Sequence, residues 1–123
     1  MRRVYFYRAL AVLYAASVFV LSVMPDSGEQ GYGWDKANHF IAYAVMSFIF
    51  IRAAITPGRA FALTAFGVFI AVLFFGIGVE FVQSLTPTRH ADVRDVLANG
   101  LGSVLGIAAF WFYKNRAEVK RCS

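Results

Sequence analysis

The chain alternates between long apolar runs and short polar segments. The four apolar runs cover about residues 4–24, 37–55, 60–85 and 93–113. Each run is close to the roughly 20 residues that an α-helix needs to cross the hydrocarbon core of a bilayer. The pattern therefore predicts an all-α integral membrane protein, a four-helix transmembrane bundle that forms a single domain over residues 1–123.

Helix-breaking residues separate the predicted helices. Proline or glycine occurs at each boundary, at Pro25, at residues 56–59 and at Pro87. The first run follows Arg2 and Arg3, as the apolar part of a signal peptide does. However, the stretch LSVMPDSG has no clean small-x-small cleavage site, because Val and Met stand there. We therefore expect the first helix to be retained.

The composition favours a membrane protein over a soluble one. Hydrophobic residues make up 59% of the chain and charged residues 15%, whereas soluble domains average about 45–50% and about 25%. A soluble protein with buried helices is the alternative. Four runs of spanning length in 123 residues disfavour it.

The small number of cysteines and histidines limits the kinds of metal site that the sequence predicts. Cys122 is the only cysteine in the sequence, so an intrachain disulfide is excluded. With two histidines and no cysteine cluster, a closed structural zinc site is not expected. The sequence therefore predicts no metal site and no cofactor.

Basic residues are distributed unevenly between the two ends of the predicted bundle. Nine of the twelve fall at the end with both termini, and they are Arg2, Arg3, Arg8, Arg52, Arg59, Lys114, Arg116, Lys120 and Arg121. The other end has Lys36, Arg89 and Arg94. Because basic residues concentrate in cytoplasmic segments, we predict that both termini are cytoplasmic. The net charge of +5 then reflects topology and attraction to anionic membrane lipids, and no nucleic-acid partner is expected.

Polar residues concentrate at the predicted outer end, on one face of each helix. They are Lys36, His39 and Tyr43 on the second helix, Glu80 and Gln83 on the third, and Asp92, Asp95 and Asn99 on the fourth. Spacings of three and four residues place side chains on one helix face. An ionisable residue within a membrane helix is costly unless it faces the bundle and has a partner. Glu80 is therefore a functional candidate, with Lys36, His39, Arg89 and Arg94 as available partners.

Gly102 and Gly106 continue the polar stripe of the fourth helix as a GxxxG pair. Glycine lets a neighbouring backbone approach closely in membrane bundles. We therefore predict that this face packs against another helix.

Simpler roles stay open for several of these residues. Asp92 or Asp95 can cap the fourth helix, where a carboxylate suits the positive end of the helix dipole. Glu80 can form a purely structural ion pair. Tyr43 and Arg94 can be ordinary residues of the membrane interface.

Two motifs in this region resemble those of the VanZ-like family of bacterial membrane proteins. The first is DKANHFIAY, in which Asp35, Lys36, His39, Phe40 and Tyr43 match the pattern Asp-Lys-x-x-His-Phe-x-x-Tyr. The second comprises Glu80-x-x-Gln83, Arg89-x-x-Asp92-x-x-Asp95 and Asn99-x-x-Gly102-x-x-x-Gly106. The combination is more specific than either motif alone.

The resemblance implies a multi-pass protein of the bacterial cytoplasmic (inner) membrane with a role in the cell envelope. The namesake of the family is associated with resistance to the glycopeptide antibiotic teicoplanin, so antibiotic resistance is an implied role. Some members carry a phosphotransbutyrylase label, but the sequence shows no acyl-CoA or soluble transferase domain that fits it.

The first functional hypothesis is binding of an anionic lipid headgroup or a lipid-linked cell-wall precursor in an accessory role. Helix N-termini and basic side chains are recurrent anion sites. The predicted binding residues are Lys36, His39, Tyr43, Glu80, Gln83, Arg89, Asp92, Asp95 and Asn99. Of these, Lys36, His39 and Arg89 are expected to contact the anion.

Two further hypotheses concern catalysis and transport. A membrane enzyme acting on a lipid phosphate would use His39 with Glu80 or Asp95 as an acid–base pair. A divalent cation held by Glu80, Asp92 and Asp95 belongs to this alternative, although such sites are not readable from spacing. No catalytic residue is assigned, because the sequence has no nucleophile motif. Proton passage through Glu80 and His39 is disfavoured, because the cytoplasmic parts of the first and third helices are apolar.

Overall fold

The computed structural model describes residues 2–24, 32–85 and 92–122. These residues form four α-helices, α1 (Arg2–Val23), α2 (Tyr32–Ala54), α3 (Phe61–Ser84) and α4 (Val93–Cys122), and they include no strand. Each helix contains a segment long and apolar enough to cross a membrane, namely Val4–Val23, Lys36–Ala54, Phe61–Ser84 and Val93–Lys120. The prediction of an all-α fold with four helices of membrane-spanning length is confirmed.

Two helices extend beyond the boundaries that the apolar runs predict. α4 continues past residue 113 to Cys122, and within this polar extension the Lys114 ammonium lies 3.6 Å from the Glu118 carboxylate. α2 begins at Tyr32 rather than at residue 37. Apolar character marks the part of a helix that lies in lipid, whereas the backbone stays helical through polar residues of adequate helix propensity.

A tight turn reverses the chain between α2 and α3. Gly58 has a φ of +82°, in the left-handed region that glycine adopts without steric penalty. The Arg59 backbone N–H donates to the Thr56 carbonyl at 3.2 Å. The predicted break at residues 56–59 is therefore a hydrogen-bonded turn.

The first three helices alternate in direction. The guanidinium carbon of Arg52, near the end of α2, lies 4.4 Å from the ring centroid of Tyr7, near the start of α1. The Gln83 side-chain amide donates to the Ser22 carbonyl at 2.7 Å, so α1 and α3 finish at the same end. α1 and α3 therefore run in one direction and α2 in the other.

α4 returns to the end at which α1 begins. The Phe110 ring of α4 stacks on the Phe61 ring at the start of α3, with 6.5 Å between centroids. We call this end, with Arg52 and Lys114, the basic end, and the opposite end, with Lys36, the polar end. The sequence prediction assigns the basic end to the cytoplasm.

A topology experiment tests this orientation. We expect a reporter fused after Ser123 to be active in the cytoplasm and one inserted near Gly31 to be active outside, because basic residues are retained on the cytoplasmic side. The reverse pattern would place the polar end inside the cell.

The core of the bundle forms around α2. Tyr43, Met46 and Ile51 of α2 pack with Val72 of α3 and Phe110 of α4. Large apolar side chains remain exposed on the outer faces, among them Phe66, Phe74, Leu97, Leu101 and Phe112. Apolar surface of this extent is unfavourable in water and suits contact with lipid tails. The distribution is that of a multi-pass membrane protein.

α2 and α4 share the most extensive helix–helix contact, and two glycines permit it. A Cβ built on Gly102 would fall against the Phe40 carbonyl, 3.0 Å from its carbon and 3.2 Å from the Ala44 nitrogen. A Cβ on Gly106 would lie 2.9 Å from the Ala44 carbonyl carbon and 3.1 Å from its Cα. Both glycines therefore face the backbone of α2.

Candidate functional site

Polar side chains from α2, α3 and α4 meet at the polar end of the bundle. We call this group the polar cluster, and its members are Lys36, His39, Tyr43, Glu80, Asp92, Asp95 and Asn99. α2 and α4 run in the same direction, so the polar face of each helix meets that of the other along several turns. Burial increases inward, from a Lys36 side chain that is 29% exposed to a fully buried Tyr43.

Lys36 links two carboxylates in the outer layer of the cluster. Its ammonium donates to Asp92 Oδ2 at 3.0 Å and to Asp95 Oδ1 at 3.2 Å. Asp92 Oδ1 also accepts the Arg94 backbone N–H at 2.8 Å, which makes Asp92 the N-cap of α4. This backbone hydrogen bond, together with the Lys36 ammonium, holds the pKa of Asp92 below its usual value. Asp92 is thus the capping carboxylate, and Asp95 faces the cluster.

The middle layer brings together His39, Glu80 and Asp95, each less than a tenth exposed. One ligating atom from each of the three residues lies within 4.8 Å of the others. Glu80 Oε2 accepts the Asp92 backbone N–H at 3.2 Å, which ties α3 to the start of α4. His39 Nδ1–H donates to Asn99 Oδ1 at 3.1 Å. In a neutral imidazole the lone pair then resides on Nε2.

The innermost layer holds two buried hydrogen-bond donors. The Tyr43 hydroxyl and the Asn99 amide nitrogen have no hydrogen-bond partner among the described residues. The Tyr43 ring stacks on the His39 ring, with 6.3 Å between centroids. Gly76 of α3 provides the space, because a Cβ there would lie 2.9 Å from Asn99 Nδ2 and 3.0 Å from Tyr43 Cε1. Since buried donors nearly always have acceptors, these two indicate an acceptor from outside the described residues.

The sequence analysis missed three residues beside the cluster. Gly76 lies one turn before Glu80 on the same face of α3, and that spacing was the available signal. Ser47 Oγ donates to Ser103 Oγ at 2.7 Å, and both residues are fully buried. The two serines continue the polar faces of α2 and α4 toward the middle of the bundle, at positions that helical periodicity also marks.

Other predicted residues lie elsewhere or in unexpected surroundings. Gln83 contacts α1 through its hydrogen bond to Ser22. Arg89 lies outside the described residues. Tyr43, for which a place at the membrane interface was an alternative, is fully buried instead, because its face of α2 is turned toward α3 and α4.

The fold and the site define a small multi-pass membrane protein with a buried polar cluster at one end of a four-helix bundle. The sequence profile of the VanZ/LLP1 family matches residues 3–114, which include every member of the cluster. The chain therefore belongs to the VanZ/LLP1 family, and the resemblance carried by the two motifs is confirmed.

A relative of this chain occurs in a yeast. An uncharacterized protein of the yeast Schizosaccharomyces pombe is 33% identical over 86 residues, which cover 68% of this chain and 51% of the yeast protein. The chain thus spans about half the length of that relative. No solved structure matches the chain. Because one relative is a yeast protein, family membership alone does not assign the chain to a bacterial membrane.

Proposed function

We propose that the polar cluster binds the phosphate-bearing headgroup of an anionic membrane lipid or of a lipid-linked cell-wall precursor. The observation that carries this proposal is the pair of buried donors, the Tyr43 hydroxyl and the Asn99 amide, which lack acceptors among the described residues. A buried donor without an acceptor costs about 1–3 kcal/mol. Oxygen atoms of a headgroup are acceptors that satisfy both donors at once.

Two basic side chains at the outer edge of the cluster support an anionic ligand. Lys36 is 29% exposed at its side chain, and Arg94 is exposed in the first turn of α4. Lys36 is held by Asp92 and Asp95, so its ammonium is oriented before a ligand arrives. Preorganised cations lose less conformational entropy on binding than mobile ones.

The proposal also includes the cellular setting. The polar end lies at the outer face of the bacterial cytoplasmic membrane, and the protein acts there as an accessory component of the cell envelope. The predicted orientation supports the first part, and the family supports the second. Binding of a lipid-linked cell-wall precursor would connect the chain with the glycopeptide resistance associated with the family's namesake.

A membrane enzyme that acts on a lipid phosphate is the second candidate. The observation that favours it is the approach of His39 and Glu80, whose ligating atoms lie within 4.8 Å of each other in a buried site. Such a pair can transfer protons in a site shielded from water. The nearby Ser84 does not supply the nucleophile, because it is exposed and its hydroxyl donates to the Phe81 carbonyl of its own helix.

Replacement of Tyr43 by Phe tests the proposed function. Tyr43→Phe removes one buried donor while it preserves the ring, so we expect unfolding stability in detergent to be unchanged or higher. Binding of anionic lipid should weaken about tenfold, because a hydrogen bond to a charged group contributes about 1.5 kcal/mol. The measurement is retention of phosphatidylglycerol, against phosphatidylcholine, by purified protein in mixed micelles.

Tyr113→Phe is the matched control, because Tyr113 is exposed near the basic end. It should leave lipid binding unaltered. Equal binding of anionic and zwitterionic lipid by the wild type, or full anionic-lipid binding by Tyr43→Phe, would contradict the proposal. Chemical change of the retained lipid, abolished by His39→Ala, would instead support the enzyme.

A further inference from the structure

We infer that His39, Glu80 and Asp95 form a binding site for a divalent first-row transition ion of the Zn²⁺ or Mn²⁺ type. The three residues come from three different helices, α2, α3 and α4, and all are buried. Metal binding in this position would join these helices at the polar end. The inference stands on residues of this chain, and it shares the buried donors Tyr43 and Asn99 with the proposed lipid binding.

The spacing of the three groups fits a single ion after small side-chain rotations. Their ligating atoms lie within 4.8 Å of one another. Ligands at about 2.0–2.2 Å from a zinc ion are about 3.4 Å apart in a tetrahedral arrangement. Rotation of the Glu80 and Asp95 side chains about their χ angles would bring the ligating atoms to this shorter separation.

Each of the three ligands is held by a further polar group, as ligands in metal sites usually are. His39 donates its Nδ1 hydrogen to Asn99 Oδ1 at 3.1 Å, which places the lone pair of the neutral ring on Nε2. Asp95 accepts from Lys36 at 3.2 Å. Glu80 accepts the Asp92 backbone N–H at 3.2 Å. These hydrogen bonds keep the three side chains close to one another in the absence of an ion.

The buried donors beside the three ligands point independently to an exogenous group. The Tyr43 hydroxyl and the Asn99 amide nitrogen are fully buried without a partner among the described residues. Tyr43 stacks on His39, and Asn99 holds the same ring. An oxygen atom bound to the metal, from water or from a phosphate, is the acceptor that both donors require. The absence of a side chain at Gly76 leaves room for the Tyr43 ring and the Asn99 amide.

The mixture of ligands selects the class of ion. Imidazole favours transition metals, whereas Mg²⁺ and Ca²⁺ prefer sites made entirely of oxygen. Two carboxylates and one imidazole are a ligand set that Zn²⁺ and Mn²⁺ accept. We therefore expect Zn²⁺ and Mn²⁺ to bind more tightly than Mg²⁺ or Ca²⁺. A divalent ion would also place positive charge next to the phosphate of the proposed ligand.

Metal binding can be measured directly on the full-length protein. The protein is purified in detergent without a polyhistidine tag, stripped with a chelator and titrated with Zn²⁺ by calorimetry. We expect one ion per chain and a higher unfolding midpoint in the presence of Zn²⁺, because an ion that binds the folded state stabilises it. His39→Ala and Asp95→Asn should each weaken binding about tenfold or more.

Glu118→Gln is the matched control, because this carboxylate is exposed near the basic end and pairs with Lys114. It should bind Zn²⁺ as the wild type does. If a ligand variant does not fold, X-ray absorption of the wild-type protein loaded with Zn²⁺ identifies the ligands of the ion. We expect one imidazole together with oxygen ligands. Failure to bind Zn²⁺ or Mn²⁺, unchanged binding in both ligand variants, or a spectrum without imidazole would overturn the inference.

The outcomes separate the metal site from the proposed lipid binding. Anionic-lipid binding by a protein that takes up neither Zn²⁺ nor Mn²⁺ would remove the metal site and keep the lipid proposal. One Zn²⁺ per chain without any preference for anionic lipid would keep the metal site and remove the lipid proposal. Lipid binding that increases with Zn²⁺ in the wild type but not in His39→Ala would show that the bound ion takes part in lipid binding.

Discussion

Gly106→Leu should reduce the yield of folded protein in membranes to a small fraction of the wild-type yield. At this position even a Cβ would lie 2.9 Å from the carbonyl carbon of Ala44. The colliding atoms belong to the backbone of α2, which cannot move aside as a flexible side chain would. Overpacking of a core commonly costs about 1–3 kcal/mol, and we expect the upper part of that range or more. The measurement is the fraction of monodisperse protein after detergent extraction.

Gly78→Leu provides the matched control, because a Cβ at Gly78 would meet no atom within 4 Å. This variant should fold as well as the wild type, with some gain in helix propensity. Leu105 is exposed and adjacent to Gly106 in the sequence. Leu105→Gly should therefore not lower the yield through a clash with α2. Full tolerance of Gly106→Leu would mean that this face of α4 contacts lipid rather than α2.

Glu80→Gln should separate the structural role of the polar cluster from its role in binding. Glutamine retains a carbonyl oxygen that can accept the Asp92 backbone N–H, the hydrogen bond that Glu80 makes at 3.2 Å. We therefore expect the variant to fold with nearly normal stability. The charge is lost, so binding of Zn²⁺ should fall at least about tenfold. Binding of anionic lipid should fall with it only where the ion contacts the phosphate. Thermal unfolding and the two binding assays are measured on the same preparation.

Glu80→Leu tests how much the Glu80 side chain contributes to the stability of the fold. Leucine removes the acceptor as well as the charge, so the Asp92 backbone N–H at the half-buried start of α4 loses its partner, at a cost of up to about 1–3 kcal/mol. Stability should therefore fall in Glu80→Leu and not in Glu80→Gln. Normal binding and a normal cellular phenotype in both Glu80→Gln and His39→Ala would show that the cluster is a structural network only.

The helices themselves could be predicted well from local sequence. An apolar run of spanning length is a property of adjacent residues, and proline and glycine mark its ends within a few positions. The predicted end of the fourth helix at residue 113 is too early, because α4 continues to Cys122. Hydropathy indicates which residues lie in lipid, but it does not indicate where the helical backbone ends. Local sequence carries no comparable signal for the rotation of one helix against another.

Several roles within the site depended on that rotation. Asp92 and Asp95 were both candidates for the cap, and the hydrogen bond from the Arg94 backbone N–H identifies Asp92 as the N-cap. Gln83 shares a helix face with Glu80, yet it hydrogen-bonds to α1 through Ser22. Gly76 had no apparent role until Tyr43 and Asn99 were found against it.

The sequence by itself determined the four helices, the faces of α2 and α4 that are polar, and the glycines at which a close approach is feasible. These follow from composition and from the helical period, which are local properties. Only the tertiary structure decided that Glu80 of α3 meets His39 and Asp95 and that Tyr43 is buried beside them. The reason is that the rotation and register of packed helices are set jointly by all their contacts, above all by the backbone approach of α2 to Gly102 and Gly106.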